Sequence, residues 1–476
     1  MNHLPCASKK KNHVPCLALS DHEVEEIFAR LPAKMVFRLR CLSRAWAATL
    51  SSNSFEDLHL RAANLHGGPR IMCMMEDAEE ERLKVLTSSL DGPGGAPFLQ
   101  VPHIITGHCN PPLISQDVRE GPYYKQAPLR TTQPCRGLVI LEAREARLFH
   151  VYNPSTGQIA TLPEGRTTGV ETLYDYAYLG LGYDARTSKH KVVRVRYGGC
   201  AGRLPLSTGA GCEVYDINNA NSQRSWRTIT GAKPTCWIDT YNRSVFLQGR
   251  CYWLAHRKLS PREDLILLTF SIRYETFGTV APPPGMRDDY PHQSTNYDLT
   301  ELNGRLCIFR EFSMWHEQYD VWLLNGHGSD ASWDLHCRID LARALPQLKK
   351  FMFMPNDHIH LSMAPLAIID NGRRILLTEH HMPTAICAYS TDTGYTESLL
   401  DMSSTVVNLV AVYEESIASP GCQPCEDTAL ISSSSTQALL IILRMLPRHA
   451  HGNLKLVCRS WRCMIESGIR RYINRS

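Results

Sequence analysis

Between about residue 68 and residue 413 the chain repeats one rhythm: a short apolar run, a cluster of Gly, Pro, Asn or Asp, then another short apolar run. Residues 135–141 (CRGLVIL) read as a buried strand, 147–152 as a second, Asn153-Pro154-Ser155-Thr156-Gly157 as a turn, and 158–162 as a third. Similar pieces follow at 179–183 with 191–197, at 212–215, at 244–254, at 266–270 with Val280, and at 302–309 with 319–324. The series closes at Ile368-Ile369, a turn at Asn371-Gly372, and 374–377. Evenly spaced antiparallel strands predict a sandwich, barrel or propeller. The span of 345 residues (413 − 68) is too long for one small barrel. At roughly 40–50 residues per four-stranded blade it predicts a propeller of about six to eight blades. No paired-glycine kelch signature recurs, which leaves the blade count open. Trp226, Trp237, Trp253, Trp322 and Trp333 lie in or beside these strands and read as blade core rather than a sugar-binding platform.

The two ends have a different period. Ser20 is placed to cap a helix, and Glu23 three residues on completes a capping box, with Leu19 and Val24 set for a hydrophobic staple. Val24, Ile27, Phe28 and Leu31 then fall on one helical face, and Pro32 ends the helix. Phe37, Leu39, Leu42, Trp46 and Leu50 form a second set near helical spacing. About forty residues rarely support a core of their own, so this unit needs a partner or the rest of the chain. Residues 416–436 are rich in Ser, Cys and Pro and read as a linker, and 437–476 are helical again. The expected organisation is a tail (1–16), a helical unit (17–60), a β domain (61–415), the linker and a second helical segment.

Composition narrows the function classes. A net charge of +4 gives no global field for nucleic acid or membrane. The 17 cysteines are scattered and odd in number, and no apolar run follows Lys9-Lys10-Lys11. Free thiols in a reducing cytoplasm or nucleus are therefore expected. Cys422-Gln423-Pro424-Cys425 is a lone pair without the two further ligands of a structural zinc site, so neither a metal nor another cofactor is expected. His358, His360, His380 and His381 read as loop histidines, and Asn242-Arg243-Ser244 as an idle glycosylation sequon. No P-loop, nucleophile elbow or zinc-protease helix is present, and a non-catalytic protein is expected.

Residues 19–50 (LSDHEVEEIFARLPAKMVFRLRCLSRAWAATL) resemble the F-box, through IFARLP at 27–32 and Trp46 fourteen residues after Pro32, with Arg40 and Arg44 between. Ser20 departs from the usual Pro, and Leu42-Ser43 from the common Val-Cys. The middle region resembles the F-box-associated region of plant F-box proteins, through CRGLVIL, VYNPSTGQIATLP (151–163), LGLGYDARTSKHKVVRV (179–195), CEVYD (212–216), SWRTI (225–229), LQGRCYWLA (247–255) and LNGRLCIF (302–309). The resemblance implies an α+β multidomain chain: a small N-terminal F-box, a large all-β propeller-like domain and a helical C-terminal segment. It also implies a substrate receptor of a ubiquitin ligase, in which the F-box binds a Skp-type adaptor and through it a cullin, while the propeller binds a target protein. The implied adaptor-binding positions are Leu19, Val24, Ile27, Phe28, Leu31, Pro32, Phe37, Leu42 and Trp46. Ile27, Leu31 and Trp46 serve equally well to hold the helices together. The alternative is a lectin-like or scaffold propeller without ligase coupling. EDAEEE (76–81) and the loop 198–211 are exposed candidates for target contact or plain surface.

A shift of 415 lays the C-terminal segment on the first copy. Leu439, Ile442, Leu443, Leu446 and Pro447 meet Val24, Ile27, Phe28, Leu31 and Pro32, and Val457 and Trp461 meet Leu42 and Trp46. Gly452 stands where Phe37 does and Arg470 where Phe55 does. Residues 437–476 hold eight Arg or Lys against one acid, Glu466. The segment reads either as a basic patch for an acidic partner or as a degenerate duplicate with a solvated face.

Overall fold

The computed structural model of the chain describes residues 21–40, 44–65 and 69–421, the last with breaks at 78–81, 90–98, 106–130, 144–147, 164–176, 198–209, 218–224, 232, 239–242, 257–264, 285, 287–296, 311–317, 327–330, 341–343, 345–362, 380–384, 403–406 and 408. Two compact units result: Met1–Ala63 with Pro424–Ser476, and Asn64–Gln423. The first contains four described helices, α1 (Asp21–Ala29), α2 (Ala33–Leu39), α3 (Arg44–Thr49) and α4 (Asn53–Asn64).

The second unit is a six-bladed propeller, at the low end of the range read from chain length. The first blade contains β1 (Arg70–Asp77), β2 (Arg82–Ser89) and β3 (Leu99–Ile105), and the second β4 (Val139–Ala143), β5 (Leu148–Tyr152) and β6 (Ile159–Thr161). The third is β7 (Ala177–Asp184), β8 (Lys189–Arg196), β9 (Gly211–Asp216) and β10 (Arg227–Thr228). The fourth has β11 (Trp237–Ile238) and β12 (Val245–Leu247), both paired to β13 (Arg250–His256), then β14 (Leu265–Ser271) and β15 (Thr276–Val280). The fifth is β16 (Tyr297–Leu302), β17 (Arg305–Arg310), β18 (Gln318–Asn325) and β19 (Ser332–Asp340), and the sixth β20 (Met363–Ile369), β21 (Arg374–Glu379), β22 (Ala385–Ser390) and β23 (Thr396–Asp401). The last strand, β24 (Leu409–Tyr413), returns to the first blade and pairs antiparallel with β1 from Arg70↔Tyr413 to Met74↔Leu409.

Two of the apolar runs contain hairpin turns. Residues 244–254 divide into β12 and β13 at Gln248-Gly249, and 302–309 begin β17 after a turn at Asn303-Gly304. Both turn residues have positive φ in each case, 48° and 77°, then 51° and 73°. That is the two-residue turn whose twist matches the flanking strands. The apolar run hides it because strands on both sides are buried.

The closure of the ring is held by side chains. Asn153 is fully buried; its amide donates to the Ser416 carbonyl (3.0 Å) and the Ala418 carbonyl (2.7 Å). Its carbonyl oxygen accepts from the backbone N–H of Ser155 (2.8 Å) and Thr156 (3.2 Å), so all four of its hydrogen-bonding positions are used. The Ser416 N–H donates to Ser155 Oγ (3.0 Å). Gly137, at φ 81°, lies so close beneath this segment that a Cβ would stand 2.1 Å from Ser416 Cβ. The CRG and NPST motifs are thus the seat of residues 414–418. Glu415 is fixed in turn by Arg70 (3.1 Å) and by reciprocal hydrogen bonds with Asn64 (2.8 and 2.9 Å).

Blades pack face to face, and the LGLGYD motif makes room for the fourth blade on the third. A Cβ on Gly180 would meet Trp253 Cζ2 at 2.5 Å, and one on Gly182 would meet Ile272 at 2.6 Å and Phe246 at 2.9 Å. The Trp253 indole N–H donates to the Leu179 carbonyl (3.3 Å). Lys191 ties the same two blades, with Asp184 at 3.0 Å and Glu275 at 3.3 Å, and Arg227 holds Glu275 at 2.7 Å. Gly180→Ala forces the indole out of place and should cost about 1–3 kcal/mol, the usual penalty of overpacking. Urea unfolding followed by tryptophan fluorescence measures it, with Gly211→Ala, where a Cβ meets nothing within 4 Å, as the neutral control.

His190 is buried against Tyr183, ring centroids 5.1 Å apart. Burial, then the nearby charge of Arg136, lowers its pKa to about 3, against a hydrogen bond with the Cys135 backbone. The folded chain keeps this imidazole neutral where the unfolded chain protonates it. Its contribution to stability is present above about pH 6.5 and is lost as pH falls towards 3. Stability should drop by up to about 1.4 kcal/mol per pH unit from this group below pH 6.5. Urea midpoints at pH 7, 6 and 5 should show a shallower fall in His190→Gln.

Candidate docking sites

The helical unit is built from helices too short to stand alone. Ser52 caps α4: its Oγ accepts from the Phe55 N–H (3.2 Å) and donates to the Thr49 carbonyl (2.7 Å). Pro32 stands at the N-cap of α2, its carbonyl accepting from Met35 (2.8 Å) and Val36 (3.1 Å). Pro32 therefore ends one helix and starts the next. The second apolar set does not form one helix: it divides into α2 and α3, with 41–43 outside the described residues. Ser20 and Leu19 also lie outside them, so the expected cap and staple are not described.

Phe28, Ala29, Leu31, Ala33, Val36, Leu39, Leu50, Phe55 and Leu60 are buried. Trp46 stands edge-on to Phe28 at 5.1 Å. The buried His59 imidazole shares a 3.0 Å hydrogen bond with the Leu31 carbonyl, and the Arg40 guanidinium donates to the Leu50 carbonyl (3.0 Å) while lying 5.2 Å over Phe37. Burial lowers the Arg40 pKa, opposed by the Glu56 carboxylate.

The residues singled out from sequence separate into two groups. Phe28 (2% exposed) and Leu31 (6%) are enclosed by the chain itself. Val24, Ile27, Phe37 and Trp46 are half-buried and Pro32 is exposed. Leu42 and the second patch, Leu439, Ile442, Leu443, Leu446, Pro447, Val457 and Trp461, lie outside the described residues, as do Cys422, Cys425 and the four loop histidines. Sequence reading missed the buried Val36, His59 and Leu60; the spacing of Phe55, His59 and Leu60 after the Ser52 cap is the signal that marks α4.

The propeller offers a second surface. All strand pairs are antiparallel, so the connection from a blade's second strand to its third leaves from the same end as the passage to the next blade. That end carries the long connections 106–130, 281–296 and 341–362. The opposite end has the two-residue turns Gln248-Gly249 and Asn303-Gly304. At the long-connection end, between the third and fourth blades, Tyr178 and Trp237 flank Tyr197 at 5.7 and 4.7 Å, and the Tyr197 hydroxyl donates to the Cys236 carbonyl (2.7 Å). Tyr178 and Trp237 remain half-buried.

Among the described residues no group of three His, Cys, Asp or Glu is placed to hold a metal ion. The described cysteines are free, and burial raises the thiol pKa to about 12 at Cys73 and about 11 at Cys387, which keeps these two protonated and poorly nucleophilic. The described structure is thus a small helical unit followed along the chain by a six-bladed propeller.

Comparison with known proteins agrees. The F-box associated beta propeller domain matches residues 111–419, and the F-box domain matches residues 16–58 and again 436–471. The chain belongs to the F-box proteins that carry an associated β-propeller domain. It is 24% identical over 408 residues to a putative F-box protein of Arabidopsis thaliana, covering 84% of this chain and 100% of that one. It is 24% identical to F-box protein CPR1 of the same plant over 373 residues (74% of this chain, 78% of that one), and 22% identical to a putative F-box/kelch-repeat protein (68% and 71%).

Proposed function

We propose that this chain is the substrate-recognition subunit of a Skp-cullin-F-box ubiquitin ligase, acting in the cytoplasm or nucleus without catalytic groups of its own. The observation that carries the reading is the set of half-buried apolar side chains Val24, Ile27, Phe37 and Trp46 in an F-box followed by a propeller domain. A helix face laid in a partner's groove is a recurring docking mode. Covering one such side chain fully is worth roughly 1.5–3 kcal/mol, so a few of them sustain a complex after ordering costs. Phe28 and Leu31 then act from beneath, holding these side chains in place. The propeller presents the target from its long-connection end, and tethering target and ligase in one complex supplies effective concentration.

Capture of a Skp-type adaptor by the intact protein tests this directly. Val24→Asp with Ile27→Asp should remove capture while leaving the tryptophan fluorescence and unfolding midpoint of the propeller unchanged. Capture at full strength by that double variant would transfer the role to residues 436–471; no capture by the unaltered protein would favour a scaffold propeller without ligase coupling.

A further inference from the structure

The two F-box matches differ in charge: residues 16–58 hold six Asp or Glu against five Lys or Arg, and residues 436–471 hold one Glu against seven Lys or Arg. Helix α1 (DHEVEEIFA) holds Asp21, Glu23, Glu25 and Glu26 and no Lys or Arg. Asp21 and Glu23 are exposed, Glu26 pairs with Arg30 at 3.0 Å, and the half-buried Val24 and Ile27 run beside them. The stretch aligned with α1 at a shift of 415, residues 436–444 (TQALLIILR), has no acid, and residues 437–476 carry eight bases against one acid. A duplicate kept to repeat the contacts of α1 would repeat its acids. The second copy has none there, and its bases complement the acids of α1.

The chain ends also bring the copies within reach. The chain enters the propeller at Asn64, which is hydrogen-bonded to Glu415, close to where the chain leaves it. From Ala418, residues 419–435 lead to the second match. So short a connection makes the docking intramolecular and raises the effective concentration, so a weak contact suffices to form.

We propose that the basic C-terminal F-box-like segment, residues 436–471, docks on the acidic α1 of the same chain and competes with the adaptor for Val24 and Ile27. The docking stands on charge, apolar pattern and tether; the competition rests on the adaptor reading. The contact falls with rising salt because much of it is between charged side chains near solvent.

The full-length chain itself provides the test. Lys455 is the single lysine of 437–476. Zero-length carbodiimide coupling should join Lys455 to Glu23, Glu25 or Glu26, more at low salt than at high. Mixing isotope-labelled and unlabelled chains should give links within one chain only. In parallel, Arg448→Glu, Arg459→Glu and Arg462→Glu together should tighten adaptor binding by about tenfold and remove its salt dependence, as expected when a competing state is relieved. Links only between labelled and unlabelled chains would make a second copy the occupant and overturn the proposal. Absence of any link to α1, or two adaptors bound per chain, would overturn it too. Links within one chain with no adaptor bound by either form would uphold the docking and reject the ligase reading.

Discussion

The propeller depends on closing a ring with a strand from the far end of the chain. β24 pairs with β1 across more than three hundred residues of sequence, and loop closure over such a span gains nothing until the last strand arrives. A free inner edge on the first blade would expose unpaired backbone groups along β1. The structure secures this step with polar groups rather than area alone. Asn153 is saturated by four hydrogen bonds, two of them to the returning segment, and Ser155 and the bare Cα of Gly137 complete its seat. An asparagine without these partners in a dry interior would be costly, so its burial selects one path for residues 414–418.

Closure also explains why the functional surfaces are placed on a fixed frame. Blades meet through flat contacts such as Gly180 under Trp253, and through the ion pairs of Lys191 with Asp184 and Glu275. The hydrogen bond to Lys191 and the charges around it hold the Asp184 carboxyl below its ordinary range despite burial, while Arg227 does the same for Glu275. Under the proposed function, this frame is what holds the target-binding loops, as rigid scaffolds commonly do. The helical unit has the opposite character: it is small, and Val24, Ile27, Phe37 and Trp46 stay half-buried in it.

How much of this the sequence shows follows from burial. Inner strands such as β8 and β13 are buried along most of their length, so KVVRV and CYWLA read as strands at once. Outer strands such as β10, with two exposed residues, and β23, largely exposed, carry no apolar signature and went unread. The first blade was the least legible part, because its strands come from both chain ends and its partner β24 cannot be inferred from local pattern. The glycines of LGLGYD and CRGLVIL are visible as motifs, but their reasons, an indole against Gly180 and the returning segment against Gly137, lie far away in sequence. In the helical unit the apolar period was legible. The sequence does not show which members face inward: Phe28 and Leu31 share a stripe with Val24 and Ile27, yet only the first two are enclosed.

The central claim is that one set of contacts, centred on Asn153, closes the ring and holds all six blades. Native-state hydrogen exchange on Asn153→Ala, beside the unaltered protein, measures this most directly. The account predicts that amides of β24, β1 and residues 414–418 lose protection together, and that the most protected strands of the other blades lose protection by the same free energy. That loss should be about 1–3 kcal/mol for each buried partner left unpaired. Loss confined to residues 414–418, with β1 and the other blades as protected as before, would contradict it.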